Sequence, residues 1–587
     1  KLAGVKIVEQ YREYVQDTDT GPTLIGAPAL WNGTYTGATA SQKGEGMVIA
    51  MIDSGVNFGS PSFAEADPVD GYVHVNPLGA GTYLGTCAPT GVDVGRCNAK
   101  LIGGYDFVCG APGNQCGVAN VREEPGFGDT NGHGSHTAST VAGNHRNVNF
   151  SGSPRSISGV APRANIIAYD ACYTNTSTGQ GLCPNVSTVA AINQTVADGI
   201  VDAINYSIGG GAEPWTETTS LAFKGAVAAG IYVSTSAGNS GPGAGTVGHL
   251  EPWTAANAAA QHGRGTFAPQ FDVTGPAPVP ANLSPIYLNE GSGGVLFSAT
   301  IPGTTRLYIS SGINGTSDGC AAYPANTFAG GIAVIRRGTC TFAVKVNNAS
   351  AAGAVAVILA NNAAGDLAPS VPGTTIPTFG TTQVSGDALR DFGQANPATA
   401  TASILYPAVA RSNTVDALGS FSSRGPAGRF DLIKPDVTAP GVSILAAVSG
   451  TALTGSENLI ALYDGTSMAS PHNAGAALLI RQARPTWTVA EVKSAIMMTA
   501  TPTVLLEDQT TLANAFAAGS GRIRAERAVN AALVLDETDA NYTAANPATG
   551  GDPAALNLPS IARSSCHVSC TFTRTFRNTR AAAVQWQ

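Results

Sequence analysis

An aspartate, a histidine and a serine stand in three segments whose residue types suit nucleophilic catalysis. Asp53 follows an apolar run, His133 lies between two glycines, and Ser467 stands at the start of a helical segment. A serine hydroxyl is a poor nucleophile at neutral pH and needs an adjacent base, such as an imidazole, to take its proton. A carboxylate beside that imidazole would hold its tautomer and stabilise the imidazolium. The three residue types therefore predict a nucleophile, its base and an orienting acid.

Each of the three residues also has a plainer explanation when it is taken singly. Asp53 could be a cap or a turn former, His133 a loop residue, and Ser467 the N-cap of the helix that follows. The order Asp, His, Ser along the chain is one of the orders in which catalytic triads occur, which favours the catalytic interpretation. A lipase-like esterase would need a glycine two residues after the serine, where this chain has Ala469.

Alternating strands and helices are predicted to bring these side chains together. Four apolar runs, at residues 47–52, 166–169, 204–208 and 231–234, have the composition of strands that are buried on both faces. Helices are predicted at residues 220–229, 470–482 and 489–499. Strands that alternate with helices are typical of an α/β fold with a doubly wound parallel sheet. Functional residues of such sheets gather at the carboxyl ends of strands, which is where Asp53 stands.

Changes in composition divide the chain into regions. Residues 21–266 and 407–545 have the α/β pattern, whereas residues 267–406 are rich in turns and short β-like runs, with one helix at 342–352 and one strand at 354–359. We expect residues 267–406 to be a β-rich domain inserted into the α/β domain. A third pattern begins at residue 546, where residues 571–576 alternate as a half-buried strand does.

Charge, hydropathy and cysteine content exclude several classes of protein. A net charge of −8 without a basic stripe argues against nucleic acid as a partner. No apolar stretch reaches the length of about 18 residues that a membrane span needs. Ten cysteines fall as local pairs without zinc-ligand spacing, so five short-range disulfides and an oxidising compartment are favoured over ten free thiols. The pairs, inferred from proximity alone, are Cys87–Cys97, Cys109–Cys116, Cys172–Cys183, Cys320–Cys340 and Cys566–Cys570.

Over nearly its whole length the chain resembles the subtilase family of serine peptidases. The resemblance is carried by the segments around Asp53, His133 and Ser467, by Ser-Ala-Gly-Asn-Ser-Gly-Pro at residues 236–242, and by residues 159–162, 421–426 and 434–441. It implies a subtilisin-like sheet flanked by helices and a secreted endopeptidase that works through an acyl-enzyme. It also implies that Asp53, His133 and Ser467 form the triad. Asn239, with the backbone N–H of Ser467, would donate to the oxyanion.

The same resemblance assigns the substrate pocket. Two segments correspond to the edges of the primary specificity pocket, and their residues are Ser207, Ile208, Gly209, Ser236, Ala237 and Gly238. Bare backbone there would let an extended peptide pair as an added strand, although the glycines at 209–211 also fit a flexible turn. Because no acidic residue marks these segments, we expect a large apolar or uncharged residue before the scissile bond. His136 is expected to be structural and His472 a packed residue.

The remaining regions resemble accessory parts of larger subtilases. Residues 335–346 and 351–354 resemble a protease-associated domain, so the insertion at 267–406 is expected to be one, acting as a lid, a binding surface or a dimer contact, or serving as a passive covering. Residues 1–20 resemble the end of an inhibitory propeptide, or form an N-terminal extension. Residues 546–587 resemble the start of a truncated C-terminal fibronectin-like β domain.

Protein or peptide substrates are the expected partners. No cofactor is expected for catalysis. Structural calcium stays open, because the loop at residues 143–159 carries no clear ligand pattern, and no metal ligand is assigned. The oligomeric state also stays open, with a slight preference for a monomer. An inactive scaffold is the alternative function, which the presence of the acid, the base, the nucleophile and the oxyanion donor disfavours.

Overall fold

The computed structural model describes residues 20–38, 41–311 and 318–581, which fall into two compact units. Within those ranges, the first unit contains residues 20–148, 155–264 and 413–581, and the second contains residues 149–154 and 265–412. The predicted propeptide remnant or extension at residues 1–20 lies outside the described residues, apart from Thr20.

The first unit is built on an eight-stranded sheet in which every neighbouring pair of strands is parallel. The strand order is β2-β3-β4-β1-β5-β6-β7-β8. In chain order these strands are Val48–Asp53 (β1), Leu84–Gly85 (β2), Leu101–Asp106 (β3), Asn165–Asp170 (β4), Ala203–Tyr206 (β5), Tyr232–Ser236 (β6), Ala255–Ala260 (β7) and Val437–Pro440 (β8). The order runs outward in both directions from β1, so the predicted doubly wound α/β fold is confirmed.

Helices cover both faces of this sheet. They are His133–Ala142 (α1), Asn185–Asp198 (α2), Thr218–Ala228 (α3), Thr466–Ala483 (α4) and Val489–Met498 (α5). Alternate residues of β1 enter different hydrophobic cores: Ile49 and Met51 pack with α1, α4 and α5, whereas Ala50 and Ile52 pack with α2 and α3. Every residue of β1 is therefore buried, as the continuous apolar run predicts.

Helix α4 begins four residues earlier than the sequence predicts, at Thr466 instead of 470, and it contains Pro471. A proline inside a helix leaves the carbonyl four residues earlier without its usual N–H donor. Here that carbonyl belongs to Ser467, and it accepts a hydrogen bond from the hydroxyl of Ser207 at 2.8 Å. A contact across 260 residues of sequence thus lets the helix start before its proline.

The second unit also contains an eight-stranded sheet, which is mixed, and two helices. Its strands in sheet order are Ile286–Tyr287, Arg264–Gly275, Thr401–Ser412, Ile301–Ile309, Ile332–Arg336, Ala356–Ala360, Thr378–Thr381 and Asn289–Glu290, and its helices are Phe342–Ala351 and Gln383–Ala395. The three successive pairings from Ile301–Ile309 to Thr378–Thr381 are parallel, and the pairings that flank them, with Thr401–Ser412 and with Asn289–Glu290, are antiparallel. The β-rich insertion is therefore present, and its kinship with protease-associated domains stays a prediction.

The second unit includes residues 149–154, which the sequence analysis assigned to the α/β domain. Phe150 packs edge-on against Phe267, with ring centroids 5.3 Å apart. The carbonyl of Ser151 accepts from the N–H of Ala408 at 3.0 Å. These residues are the tip of a hairpin formed by Arg146–Phe150 and Ser153–Ile157, and such long-range packing leaves no mark in local composition.

The predicted strand at 571–576 is wrong. Those residues have no regular secondary structure, and the only strand assigned among the described residues after 546 is Arg577–Asn578, which pairs with Leu533–Val534. The exposure of residues 571–575 does alternate. However, this segment is held by the side chain of Arg574, which donates to the carbonyls of Leu558, Ala554 and Ser560, and not by backbone hydrogen bonds to a neighbouring strand. The fibronectin-like domain at 546–587 stays a prediction.

All ten cysteines are paired in the five predicted combinations. The Cys172–Cys183 bond closes a small three-stranded sheet made of Val121–Arg122, Tyr173–Asn175 and Gly181–Leu182. Of the helices that the structure describes, none combines the length and the apolar character that crossing a membrane requires.

Candidate active site

The carboxyl end of β1 holds the first pair of predicted catalytic residues in direct contact. Asp53 is the last residue of β1 and is almost fully buried, and His133 is the first residue of α1. The Nδ1 atom of His133 lies 2.7 Å and 3.0 Å from the two carboxylate oxygens of Asp53. The carboxylate also accepts from the N–H of Ser54 at 2.9 Å and from the hydroxyl of Thr137 at 3.2 Å. The ring is thereby oriented, with its Nε2 edge left for another partner.

Electrostatics favour proton uptake by this imidazole. Burial opposes the imidazolium, but the charge of Asp53 and its hydrogen bond outweigh burial, with a further contribution from Asp129, so the pKa of His133 lies above its ordinary value. The side chain of His133 keeps 31% of its exposure, which leaves it accessible from the groove. The same contacts stabilise the imidazolium that forms when His133 takes up a proton as a general base.

A second buried carboxylate, which the sequence analysis missed, shapes the backbone around His133. Asp129 is fully buried and accepts from the N–H groups of Gly132 and Ser135 at 2.8 and 2.9 Å, and from the hydroxyl of Ser54 at 3.1 Å. These contacts hold the turn that starts α1. The sequence offers one sign of this role, an aspartate four residues before His133, but an ordinary loop aspartate could stand at the same spacing.

The predicted nucleophile lies in the first turn of α4. The hydroxyl of Ser467 donates to the carbonyl of Ser207 at 3.1 Å, and not to the imidazole of His133. Rotation about the Cα–Cβ bond would release this hydroxyl toward the groove. The backbone N–H groups at the start of α4 have no acceptors within the helix, so positive partial charge is directed at the space beside Ser467.

The predicted oxyanion donor is oriented by its neighbour in this turn. The side-chain oxygen of Asn239 accepts from both the N–H and the hydroxyl of Thr466, at 2.9 and 2.8 Å. Thr466 also accepts from the N–H of Gly238 at 3.1 Å. Since the oxygen of Asn239 is occupied, its Nδ2 amide is the group left to donate into the groove. Thr466 is a second residue that the sequence analysis missed, because an ordinary helix-start threonine looks the same.

One groove of about 440 Å³ contains most of the predicted site. Its lining includes the triad, the oxyanion donor and five of the six predicted pocket residues, namely Asp53, His133, Ser467, Asn239, Ser207, Ile208, Gly209, Ser236 and Gly238. Ala237 is the exception, because it is fully buried and packs in the hydrophobic core on the α2 and α3 side of the sheet. The groove also receives Asn131 and the Cys172–Cys183 disulfide, which the sequence analysis did not assign to it.

The two other histidines near the triad lie away from the groove's lining. His136 is fully buried, stacks on Tyr463 with centroids 4.5 Å apart, and contacts the carbonyl of Ile444 through Nε2 at 2.9 Å. Burial lowers the pKa of His136 to about 3, so its ring stays neutral. His472 is buried on α4 and contacts the carbonyl of Met468 at 2.8 Å.

Three aspartates stand side by side where β3, β4 and β1 end. Asp170 is in register with Asp106 on one side and with Asp53 on the other. Asp170 is fully buried, and its Oδ2 has no hydrogen-bond partner. Burial, together with the charges of Glu123 and Asp106, raises the pKa of Asp170 well above its ordinary value. Burial likewise raises the pKa of Glu123 to about 8.

One group among the described residues has the ligand spacing of a cation site. The candidate ligand atoms of Asp67, Asp70 and His145 all lie within 4.8 Å of one another. Each is already engaged: Asp67 accepts from the N–H and ring of His145, and Asp70 pairs with Lys43 and Arg163. Such an internally paired network explains the cluster without an ion, so calcium stays open.

The chain is similar to known proteins over most of its length. Residues 44–521 match the model of the Subtilase family. Subtilisin-like protease SBT1.4 of Arabidopsis thaliana is 32% identical over 570 residues, covering 92% of this chain and 68% of the relative. Minor extracellular protease Vpr of Bacillus subtilis (strain 168) is 30% identical over 512 residues, covering 86% of this chain and 54% of the relative. This chain thus spans about half to two thirds of the length of these relatives.

A solved structure, that of the psychrophilic subtilisin-like protease Apa1 from the Antarctic psychrotroph Pseudoalteromonas sp. AS-11, aligns with a TM-score of 0.40 and 18% identity. The alignment covers 88% of this chain and 98% of that one.

Proposed function

Since this chain belongs to the subtilase family of subtilisin-like serine endopeptidases, we propose that it cleaves extended polypeptides with Ser467 as nucleophile. The observation that carries the proposal is the contact between His133 and Asp53 in the same groove as the Ser467 hydroxyl. If the three residues only capped turns or helices, they would not be expected to line the same groove.

The first half of the reaction forms an acyl-enzyme. Ser467 turns its hydroxyl from the carbonyl of Ser207 toward Nε2 of His133, which takes the proton as Oγ attacks the peptide carbonyl carbon. Asp53 stabilises the resulting imidazolium by accepting a hydrogen bond from Nδ1 of His133. Collapse of the tetrahedral intermediate breaks the C–N bond, and the imidazolium passes its proton to the leaving amine.

The negative oxygen of that intermediate needs donors that are already in position. Nδ2 of Asn239 and the N–H of Ser467 fill this role, because Thr466 holds Asn239 by its oxygen and the N-terminal turn of α4 leaves the N–H free. Water then repeats the steps on the ester carbonyl, with His133 as its base, and releases the acid and the free Ser467. No cofactor takes part in this sequence of steps.

An extended substrate fits the backbone around the groove. Ser207–Gly209 and Ser236–Gly238 are assigned to the two sides of the residue before the scissile bond, and Ala237 contributes through its main chain only, since its side chain lies in the core. Main-chain pairing binds many sequences and leaves selectivity to the pocket. A large apolar or uncharged residue remains the expected occupant.

Secretion is part of the proposal. Five disulfides are favoured by an oxidising compartment, and the name of the Bacillus relative describes an extracellular protease.

Labelling by an organophosphate tests the proposed function. We expect one equivalent of a phosphonofluoridate probe to attach to Ser467, to abolish casein digestion, and to leave Ser467→Ala unlabelled. Ser449→Ala is the matched control, because the buried hydroxyl of Ser449 has no hydrogen-bond partner. Failure of the folded wild-type protein to label or to digest casein would favour the inactive scaffold, and labelling elsewhere would contradict the assignment of Ser467.

A further inference from the structure

The two edges of the primary pocket lie at the ends of β5 and β6, where the pairing of these two strands with each other stops. Strands β5 and β6 pair in parallel, and their last paired residues are Tyr206 and Thr235. Residues 207–209 follow immediately on β5, whereas residues 236–238 begin with Ser236, the last residue of β6, which is in register with Asn257 of β7. One side-chain contact links the edges directly, from the hydroxyl of Ser236 to the carbonyl of Ile208 at 3.3 Å. Strand β7 holds residues 236 and 237 through Asn257, so the separation of the edges beyond the last β5–β6 pair depends on contacts from outside these two strands.

Residues 248–250 supply that connection. The N–H of His249 donates to the carbonyl of Gly210 at 2.7 Å, and the N–H of Gly248 donates to the carbonyl of Ala237 at 2.9 Å. The ring of His249 adds a third bond, because its Nε2 lies 2.8 Å from the carbonyl of Ile208. One residue and its neighbour thus reach both edges of the pocket.

A buried counter-charge holds the ring of His249 in this position. The side chains of His249 and Glu251 are both fully buried, and Nδ1 of the ring lies 3.3 Å from Oε1 of the carboxylate. The same oxygen accepts from the hydroxyl of Ser220 at 2.8 Å. The ring is also enclosed edge-on by Tyr206 and Phe223, with centroids 5.5 and 6.1 Å away.

The chemistry of these contacts indicates a charged ring. A carbonyl can only accept, so Nε2 carries a proton, and a second proton on Nδ1 makes an imidazolium paired with the Glu251 carboxylate. Burial disfavours both charges, but their mutual attraction outweighs it, so the pKa of His249 is raised and that of Glu251 is lowered. His249 also has a φ of 55°, a left-handed conformation that is unusual for a residue with a side chain.

We propose that His249, anchored by Glu251, is a positioning residue that sets the separation of the two pocket edges and thereby the fit of the residue before the scissile bond. His249 lies behind the groove's lining and touches neither substrate nor the reacting atoms. The inference rests on the proposed function, whose primary pocket it concerns.

Three variants test the inference with a series of peptide p-nitroanilides that differ only in carrying Ala, Leu or Phe before the scissile bond. His249→Ala removes the ring, His249→Gln keeps an amide donor for the Ile208 carbonyl, and Glu251→Gln removes the counter-charge. A lost hydrogen bond that involves one charged group is worth about tenfold or more in an equilibrium constant. We therefore expect His249→Ala to raise KM about tenfold for the largest residue that the wild type accepts, and much less for Ala.

The pattern across variants separates positioning from general loss of structure. We expect His249→Gln and Glu251→Gln to fall between His249→Ala and the wild type in KM, while kcat and phosphonofluoridate labelling of Ser467 stay close to wild type. His74→Gln is the matched control: His74 is also buried, with Nε2 2.8 Å from Asn144, and it does not line the groove. That variant should lose stability without changing the order of preference among the three substrates.

One adverse result is a KM that rises equally for the Ala, Leu and Phe substrates, and another is a KM that stays unchanged in all variants. Either result would overturn the positioning role of His249 and leave the proposed peptidase activity standing. A wild-type protein that neither cleaves the series nor labels at Ser467 would instead overturn the proposed function and this inference with it. If His249→Ala does not fold, the two glutamine variants decide by the same criteria.

Discussion

Replacing Asn239 by alanine probes the oxyanion site, and Thr466→Val tells how that site is built. Asn239→Ala removes the Nδ2 donor. Thr466→Val removes the hydroxyl that donates to the Asn239 oxygen at 2.8 Å but keeps the backbone N–H that reaches the same oxygen at 2.9 Å. The first change deletes a donor to the transition state. The second loosens the orientation of that donor and also removes the acceptor of the Gly238 N–H.

The structure assigns a different magnitude to each change. Loss of one oxyanion donor costs about 10²–10³-fold in kcat, or about 2.7–4 kcal/mol of transition-state stabilisation. Loss of one of the two hydrogen bonds that hold Asn239 is worth about 1 kcal/mol, which corresponds to about fivefold in kcat. The part of this loss in kcat that passes through Asn239 should disappear once Asn239 is alanine, so the two losses should not be additive.

Steady-state kinetics of the four proteins of this cycle, on one peptide p-nitroanilide, provide the assay. Concentrations are normalised by phosphonofluoridate titration of Ser467, and thermal melting checks that each variant is folded. We expect kcat to fall and KM to change little, since the oxyanion forms only in the transition state. An Asn239→Ala protein with normal kcat, or fully additive losses in the double variant, would refute the proposed arrangement.

Three further predictions concern charged groups of the first unit. Activity should fall as pH drops through the raised pKa of His133, because an imidazolium cannot accept the Ser467 proton. Asp53→Asn should move this acidic limb of the kcat/KM profile to lower pH and reduce kcat by about 10⁴-fold. A limb that does not move would contradict the pairing of His133 with Asp53. The folded-state pKa of Asp170 is raised above its unfolded value, so the stability that its neutral form contributes is present at low pH and is lost as pH rises toward the raised pKa. Asp170→Asn should therefore lose less stability than wild type when urea unfolding is followed upward from low pH, and parallel curves would count against a raised pKa of Asp170. Asp436 is buried between Lys434 and Lys493, whose Nζ atoms lie 2.6 and 2.9 Å from its carboxylate oxygens. Asp436→Asn should therefore lower the free energy of unfolding by about 3–5 kcal/mol. A loss below about 1 kcal/mol would show that the lysines find other partners.

Sequence alone predicted much of the fold because the relevant patterns are local. The apolar run before Asp53 encodes a strand buried on both faces, and β1 is fully buried as that run requires. Proximity along the chain likewise paired the ten cysteines as the structure has them. The same reasoning failed at residues 571–576, where alternation was present but the described residues offer those positions no strand to pair with.

The supporting residues of the site had no comparable signal. Asp129 and Thr466 stand close to His133 and Ser467 in sequence, but the contacts that give them their roles include partners far along the chain, Ser54 for Asp129 and Asn239 for Thr466. His249, for example, reaches the carbonyl of Ile208 across 41 residues, and Ala237 turned its side chain to the core although its neighbours line the groove. Local patterns show which chemical groups a segment contains, but not which other segment those groups contact.

The sequence by itself determined the chemical identity of the site: an acid at a strand end, an imidazole between glycines, a hydroxyl at a helix start and an amide after a strand. Only the tertiary structure decided their relations. His133 meets Asp53 across 80 residues, and Ser467 meets the Ser207 carbonyl across 260. The physical reason is that residue type and periodicity act over a few positions, whereas contact depends on how the strands order themselves in the sheet and how α1 and α4 pack upon it.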